Sequence, residues 1–165
     1  MLSSLKTTAK QIQLLILDVD GVLTDGKIHV TDSGEETLSF HVHDGYGIVR
    51  LREIPIPIAI ISGRNTPAMS HRFKKLKIEH LFLGQPEKMT AFHSLLNKLD
   101  ITPDAVAYVG DDLLDIPVME LVGLPIAVAN AMPAVKKIAK GCTQNNGGDG
   151  AVREVCDLIY AAHHP

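Results

Sequence analysis

The sequence predicts an α/β fold: a Rossmann-like parallel sheet flanked by helices on both faces. Three observations carry that prediction. Short apolar runs of strand length alternate with longer amphipathic runs, the pattern of successive βα units. The strand-length runs are continuously apolar rather than alternating, as in strands covered on both faces. Proline stands near the start of several helical runs, where its missing N–H removes no helical hydrogen bond.

The strand-length runs are Leu14–Leu17, Ile58–Ile61, His80–Leu83, Val106–Val109 and Ile126–Ala129. Helices are expected over Gly45–Glu53, Pro67–Lys77, Pro86–Leu99, Leu113–Leu121, Pro133–Ala139 and Gly150–Ala161. Thr66, just ahead of Pro67, reads as an N-cap. One segment breaks the alternation. Lys27–Val30 and Thr37–His43 alternate in polarity around the turn-rich Thr31-Asp32-Ser33-Gly34, so an inserted β-hairpin is expected over about residues 26–43. In its second arm Leu38, Phe40 and Val42 share one face and His41 and His43 the other. A small domain has nothing to bury that apolar face against, so another subunit is expected to cover it. The histidine pair lacks a third ligand and is expected to be ordinary hairpin surface rather than a metal site.

Length and composition bound the functional classes. A chain of 165 residues suits a single domain over 1–165 and needs no disulfide or structural metal to close a core. Its net charge of -3 supplies no broad positive field for nucleic acid or an anionic membrane. Met1–Gln13 lacks the apolar run of a signal peptide, and no later run reaches the roughly 20 residues of a membrane span, so a cytoplasmic location is expected. Cys142 and Cys156 form neither a CxxC pair nor a zinc array and are expected to be reduced core or near-core thiols.

The chemistry-bearing residues fall at strand ends. Asp18 and Asp20 close the first strand in Leu17-Asp18-Val19-Asp20-Gly21-Val22, and residues two apart on an extended chain point to the same side. Carboxylates at the carboxyl end of a parallel sheet face its ligand crevice. The second strand ends in Ser62-Gly63-Arg64, where a hydroxyl, amides and a helix N-terminus can hold phosphate oxygens. Lys88 follows the third strand inside the first turn of a helix, where the helix dipole disfavours a cation and an anionic partner is therefore implied. The fourth strand ends in Gly110-Asp111-Asp112-Leu113-Leu114-Asp115. Acids here make a hard-cation site suited to Mg²⁺, with Asp18, Asp111 and the first loop at Asp20 as its candidate ligands. Asp112 and Asp115 favour the helix dipole in any setting and can also stand behind those ligands.

In this order, Asp18-Val19-Asp20-Gly21-Val22, Ser62, Lys88 and Gly110-Asp111-Asp112-Leu113-Leu114-Asp115 resemble the four motifs of the haloacid dehalogenase superfamily of phosphohydrolases. With the Asp25-Gly26 hairpin, Ser62-Gly63-Arg64 and Gly147-Gly148-Asp149-Gly150-Ala151-Val152-Arg153-Glu154, the chain is similar to the cap-less 3-deoxy-D-manno-octulosonate 8-phosphate phosphatase family. The resemblance implies that Asp18 attacks phosphorus and that Asp20 protonates the leaving oxygen, then deprotonates the hydrolytic water. It implies Ser62 and Lys88 as holders of the phosphoryl oxygens, Mg²⁺ as cofactor and a phosphorylated sugar acid as substrate, its release serving lipopolysaccharide precursor synthesis. Only 41 residues separate Asp20 from Ser62 and 25 separate Ser62 from Lys88, which leaves no room for a cap domain. Cap-less relatives form tetramers, so the resemblance implies a homotetramer. Gly63, Arg64 and Arg72 are then the candidate substrate-binding residues, Arg72 acting across a subunit boundary.

Four alternatives are weighed at this level. A related nine-carbon, sialic-type acid 9-phosphate is the alternative substrate; relatives acting on it carry an acid where Arg64 stands. The glycine-rich stretch Gly147–Gly150 either covers a site or is a loop before the last helix. A phosphoacceptor signalling domain also combines acids, Ser or Thr, Lys and Mg²⁺, but its phosphorylated Asp ends the third strand, where this chain has Leu83-Gly84. A silent interaction module would have no reason to keep every motif residue.

Overall fold

The computed structural model describes residues 2–164. In chain order its elements are α1 (Lys6–Ala9), β1 (Leu14–Leu17), β2 (His29–Val30), β3 (Glu36–Thr37), α2 (Val42–Arg50), β4 (Ile58–Ile61), α3 (Pro67–Lys75), β5 (His80–Phe82), α4 (Lys88–Leu99), β6 (Val106–Gly110), α5 (Ile116–Met119), β7 (Leu124–Ala127), α6 (Pro133–Ile138), β8 (Gly141–Cys142) and α7 (Ala151–His163). Single 3-10 turns lie at Leu2–Leu5, Leu51–Glu53, Pro103–Ala105 and Leu113–Asp115.

Six strands form one parallel sheet in the order β5-β4-β1-β6-β7-β8. β1, β4 and β6 are buried at every position, which is why their sequences read as unbroken apolar runs. Burying one such Leu or Ile contributes about 1.5–3 kcal/mol, so the centre of the sheet is its most stable part. α1 and α2 pack on α7, while α5 packs on α4 and α6. In α7 the buried residues Val152, Val155, Cys156 and Ile159 recur at helical spacing. Thr66 caps α3 by accepting from Met69 N–H at 3.3 Å.

Two elements escaped the sequence reading and several boundaries moved, α2 opening at Val42 rather than Gly45 and α4 at Lys88 rather than Pro86. β8 and α1 span two and four residues, too few to carry a periodic signal. β7 starts at Leu124 rather than Ile126 because Pro125 is admitted: its carbonyl accepts from Lys140 N–H at 2.9 Å, and β8 pairs only from Ile126 onward.

The hairpin is shorter than expected. β2 and β3 pair only at His29↔Thr37 and Val30↔Glu36, and the chain leaves the ladder after Thr37. Val42 opens α2 and does not sit on a strand face with Leu38 and Phe40. Those two pack against the core, Phe40 meeting Phe73 edge-on at 5.9 Å between centroids. The expectation that nothing in the chain covers them is therefore corrected. Val42, Tyr46 and Val49 recur at i, i+4 and i+7 along α2 and are exposed, as are Ile28 and Val30. His41 sits at the N-cap position of α2 with its ring 4.9 Å from that of His43, so the pair lies at a helix start and not on a strand.

Candidate active site

The register of the sheet decides which residues meet. Leu17 lies opposite Ile60 on one side and Val109 on the other, so Asp18, Ser62 and Asp111 all leave the carboxyl edge at one level. Backbone pairing continues past the strands: Asp18 N–H donates to Val109 C=O at 3.1 Å and Ser62 N–H to Phe82 C=O at 3.0 Å. The loops after β4 and β5 are tied together as well, Gln85 N–H donating to Ser62 C=O at 2.9 Å and Gly84 N–H to Arg64 C=O at 3.1 Å. The result is a cleft of about 290 Å³ lined by Asp18, Asp20, Ser62, Arg64, Lys88 and Asp111, among others. Gly63, Asp112 and Asp115 line it too.

Lys88 is the first residue of α4 and shares its buried face with Ala91, Phe92, Leu95 and Leu96. That position aims an ammonium into the cleft from the positive end of a helix, where it needs anionic partners. It has two: Nζ lies 2.9 Å from Asp18 Oδ1 and 2.7 Å from Asp115 Oδ1. Burial alone would lower the ammonium's pKa, but these two carboxylates outweigh it and raise the value.

Asp115 is consumed by the protein. Its Oδ1 accepts from Lys88 Nζ and from Tyr108 OH, each at 2.7 Å, and its Oδ2 accepts from Asp111 N–H at 2.9 Å and Asp112 N–H at 3.2 Å. The Asp112 side chain reciprocates by accepting from the backbone N–H of Asp115, completing a capping box, and also accepts from Leu113 N–H at 2.7 Å. The four bonds hold the loop that carries Asp111. Tyr108 was not foreseen as part of this network. Its signal in the sequence was a phenol inside a fully apolar strand, since a buried Tyr hydroxyl requires a polar partner.

Asp18, Asp111 and Asp115 each present an oxygen within 4.8 Å of the other two. Burial first, and then repulsion from Asp115, pushes the Asp18 carboxyl up to about 7 despite Lys88. Burial and the neighbouring acids Asp18, Asp115 and Asp112 push Asp111 to about 7 as well. Asp111 Oδ1 is buried without a hydrogen-bond partner among the described residues. Closely spaced, desolvated oxygens short of positive charge are what a hard cation requires, so these residues fit Mg²⁺. Because both oxygens of Asp115 are already engaged, Asp18 and Asp111 are the carboxylates with capacity to hold it.

The Asp20 carboxylate does not join this group. It faces Arg64, whose Nη1 donates to Asp20 Oδ1 at 2.5 Å while Nη2 donates to Glu36 of β3. The ligand expected of the first loop is a backbone carbonyl, which this side-chain pairing leaves free. Glu36 was also unforeseen, and nothing in the pattern of a two-residue strand marks it. Ser62 is buried and its Oγ accepts from Arg64 N–H at 3.2 Å, which leaves its own hydrogen for the cleft. Arg72 does not line the cleft of its own chain. It lies against Gly45 and above the Phe40 ring, and its Nε is buried without a hydrogen-bond partner among the described residues.

A Rossmann-like sheet whose carboxyl edge combines an acid pair, a Ser, a helix-borne Lys and a second acid cluster defines a haloacid dehalogenase-like hydrolase. The comparisons agree. The family model described as haloacid dehalogenase-like hydrolase matches residues 84–155. The 3-deoxy-D-manno-octulosonate 8-phosphate phosphatase KdsC of Salmonella typhi is 53% identical over 156 residues, covering 94% of this chain and 83% of that protein. Among solved structures, the Yersinia pestis 3-deoxy-D-manno-octulosonate 8-phosphate phosphatase superposes with a TM-score of 0.95 at 49% identity, covering 97% of this chain and 86% of that one. The Moraxella catarrhalis phosphatase of the same name, solved in complex with magnesium ion, phosphate ion and KDO, has a TM-score of 0.95 at 40% identity, covering 99% and 94%. The chain belongs to the 3-deoxy-D-manno-octulosonate 8-phosphate phosphatase family.

Proposed function

We propose that this chain hydrolyses 3-deoxy-D-manno-octulosonate 8-phosphate to the free sugar acid and inorganic phosphate, a step in lipopolysaccharide precursor synthesis, through an aspartyl-phosphate on Asp18. The observation that carries the chemistry is the contact of Lys88 Nζ with both Asp18 and Asp115 inside the cleft. The substrate rests on the family's shared name at 53% identity.

An Asp18 carboxylate oxygen attacks phosphorus, the bond from phosphorus to the sugar oxygen breaks, and Asp20 gives its proton to that oxygen. Water then attacks the acyl phosphate while Asp20 takes its proton, which releases inorganic phosphate and restores Asp18. Lys88 has three N–H donors and spends two on carboxylates, so the third is available to a phosphoryl oxygen, beside the Ser62 hydroxyl. Mg²⁺, held by Asp18 and Asp111, supplies the positive charge that lets a carboxylate approach a phosphate dianion. Arg64 and Gly63 bound the cleft where the sugar acid enters, and Arg64 is the guanidinium placed to meet its carboxylate.

No helix among the described residues is long and apolar enough to cross a membrane, and a cytoplasmic site of action is part of this reading. So is a homotetramer, in which a neighbouring copy covers Val42, Tyr46 and Val49 and receives Arg72 at its site.

The test is phosphate release from 3-deoxy-D-manno-octulosonate 8-phosphate, its nine-carbon analogues and hexose phosphates, with and without EDTA. The eight-carbon acid is expected to be the preferred substrate, with EDTA abolishing turnover and Mg²⁺ restoring it. Asp18→Asn, which conserves volume, should fold normally and lose at least about 10⁴-fold in kcat. Preference for a nine-carbon acid would reassign the substrate, and near-normal turnover by Asp18→Asn would overturn the mechanism.

A further inference from the structure

The glycine-rich stretch before α7 does not lie over the cleft. It lies beneath the loop that carries Asp18 and Asp20. Gly147 is buried, and a Cβ there would stand 1.7 Å from Gly21 O and 3.1 Å from Val22 Cα. Gly148, at φ +71°, donates its N–H to Val22 C=O at 2.9 Å, and a Cβ on it would stand 2.3 Å from Asp25 N. Gly21 is squeezed from the other side: at φ +80°, its Cβ would lie 2.0 Å from Asp111 Oδ2. Two layers of bare backbone therefore rest on one another and on the Asp111 carboxylate, with no flexible side chain between them to absorb a displacement.

The lower layer is itself anchored. Gly147 N–H donates to Asn130 Oδ1 at 2.8 Å. Gln144 and Asn145 N–H donate to the Glu154 carboxylate at 3.0 and 2.7 Å, and Ala129 N–H donates to Asn145 C=O at 3.3 Å. Asn130 belongs to the loop after β7, and in that loop Met132 N–H donates to Asp111 C=O at 2.8 Å. A closed ring of contacts results: Asp111 to the loop of Asn130 and Met132, on to Gly147, up to Gly21, and back to Asp111.

We infer that Gly147 and Asn130 are positioning residues, which set the height of the nucleophile loop against Asp111 and thereby the spacing of the nucleophile and the cation ligands. This rests on the assignment of Asp18 and Asp111 made above. Reaction geometry must hold to within about 0.5 Å, and a misplacement of about 1 Å can cost about 10²-fold in rate. An added methyl at Gly147 cannot be seated without a shift of that order in Gly21, because the obstructing atom is a backbone oxygen.

Gly147→Ala is compared with Gly123→Ala, whose Cβ would meet a backbone oxygen, Asp104 O, at 1.8 Å but at the opposite edge of the sheet. Three quantities are read: melting temperature, kcat and KM on p-nitrophenyl phosphate, and the Mg²⁺ concentration giving half of the Mg²⁺-induced rise in melting temperature. Both variants should melt lower than wild type. Only Gly147→Ala should lose about tenfold or more in kcat with KM within about twofold, and need about tenfold more Mg²⁺. Should Gly147→Ala fail to fold, Asn130→Leu carries the test: it should move kcat and the Mg²⁺ midpoint the same way, and Asn130→Asp, which keeps the acceptor oxygen, should restore both. A folded Gly147→Ala or Asn130→Leu with wild-type kcat and Mg²⁺ midpoint would overturn the inference, as would equal losses in Gly123→Ala. Because neither the artificial substrate nor the melting curve involves the sugar acid, an error in the proposed substrate would leave these readouts intact.

Discussion

Lys88 Nζ stands 2.9 Å from Asp18 Oδ1, joining the first residue of α4 to the residue that follows the central strand. Both side chains are almost wholly buried, and 2.7 Å further on the same ammonium meets Asp115. A cation so placed neutralises two buried carboxylates and lines the cleft, so its removal should be felt in both stability and turnover.

Lys88→Ala leaves two carboxylates buried beside one another without their countercharge. Loss of one partner from a buried pair costs about 3–5 kcal/mol, and loss of a donor to a phosphoryl oxygen costs about 10²–10³-fold in kcat. Urea unfolding and steady-state kinetics on the same preparation should show both effects. A surface lysine would show neither.

Asp115→Asn keeps shape but removes the charge opposite Lys88 and sets two of the four donors against an amide NH₂, which cannot accept from them. A stability loss of about 2–4 kcal/mol is expected, together with a lower kcat, since Asp111 N–H loses its charged acceptor. Unchanged unfolding in urea would show that the four hydrogen bonds do not support the loop.

The acid cluster predicts how stability depends on pH. In the folded chain Asp18 and Asp111 are raised to about 7 by burial and by their acidic neighbours, so between about pH 4 and 7 the folded state holds protons that the unfolded state has released. The stabilisation from these two groups is therefore complete below about pH 4 and is lost as pH rises through about 7. In EDTA, the melting temperature contributed by this cluster should fall between pH 5.5 and 8, and Asp111→Asn should flatten the fall. Mg²⁺ replaces those protons, so it should raise the melting temperature more at pH 8 than at pH 5.5. A Mg²⁺ effect that is the same at both values would contradict the coupling.

Arg64 bridges Asp20 and Glu36 from the side of the cleft. Arg64→Ala should raise KM for the sugar-acid phosphate about tenfold through loss of a charged contact to the substrate carboxylate. For p-nitrophenyl phosphate, which has no such carboxylate, KM should change less than about twofold. Equal changes on the two substrates would reduce Arg64 to a structural ion pair.

The exposed apolar stripe of α2 predicts assembly. Replacing Val42 and Tyr46, 77% and 56% exposed, with Glu should convert a tetramer into smaller species in sedimentation velocity while leaving the circular dichroism spectrum unchanged. A wild-type chain that sediments as a monomer would remove the tetramer from the proposal.

The sequence was most legible where one residue type had one physical use. Asp18, Ser62 and Asp111 could be read because each directly follows, or lies one glycine beyond, an unbroken apolar run, and a parallel sheet delivers such positions to one edge. Lys88 could be read because a cation in the first turn of a helix is out of place without an anion. The hairpin was misread because period two over seven residues cannot be told from the approach to a helix whose outer face is apolar, and Leu38 and Phe40 found cover within the chain against Phe73. β8 was missed because two residues carry no period.

Taken by itself, the amino-acid order determined the class of fold, the edge on which the chemistry lies, and the residues that could perform it, since burial pattern and strand ends are local properties of the chain. Only the tertiary structure decided which acid faces which base. Asp115 is spent on Lys88, Tyr108 and two amides, Asp20 turns to Arg64, and Gly147 lies under Gly21. The contacts of Asp115 with Lys88, Asp20 with Arg64 and Gly147 with Gly21 join residues 27, 44 and 126 apart in the chain, and a sequence records order, not approach.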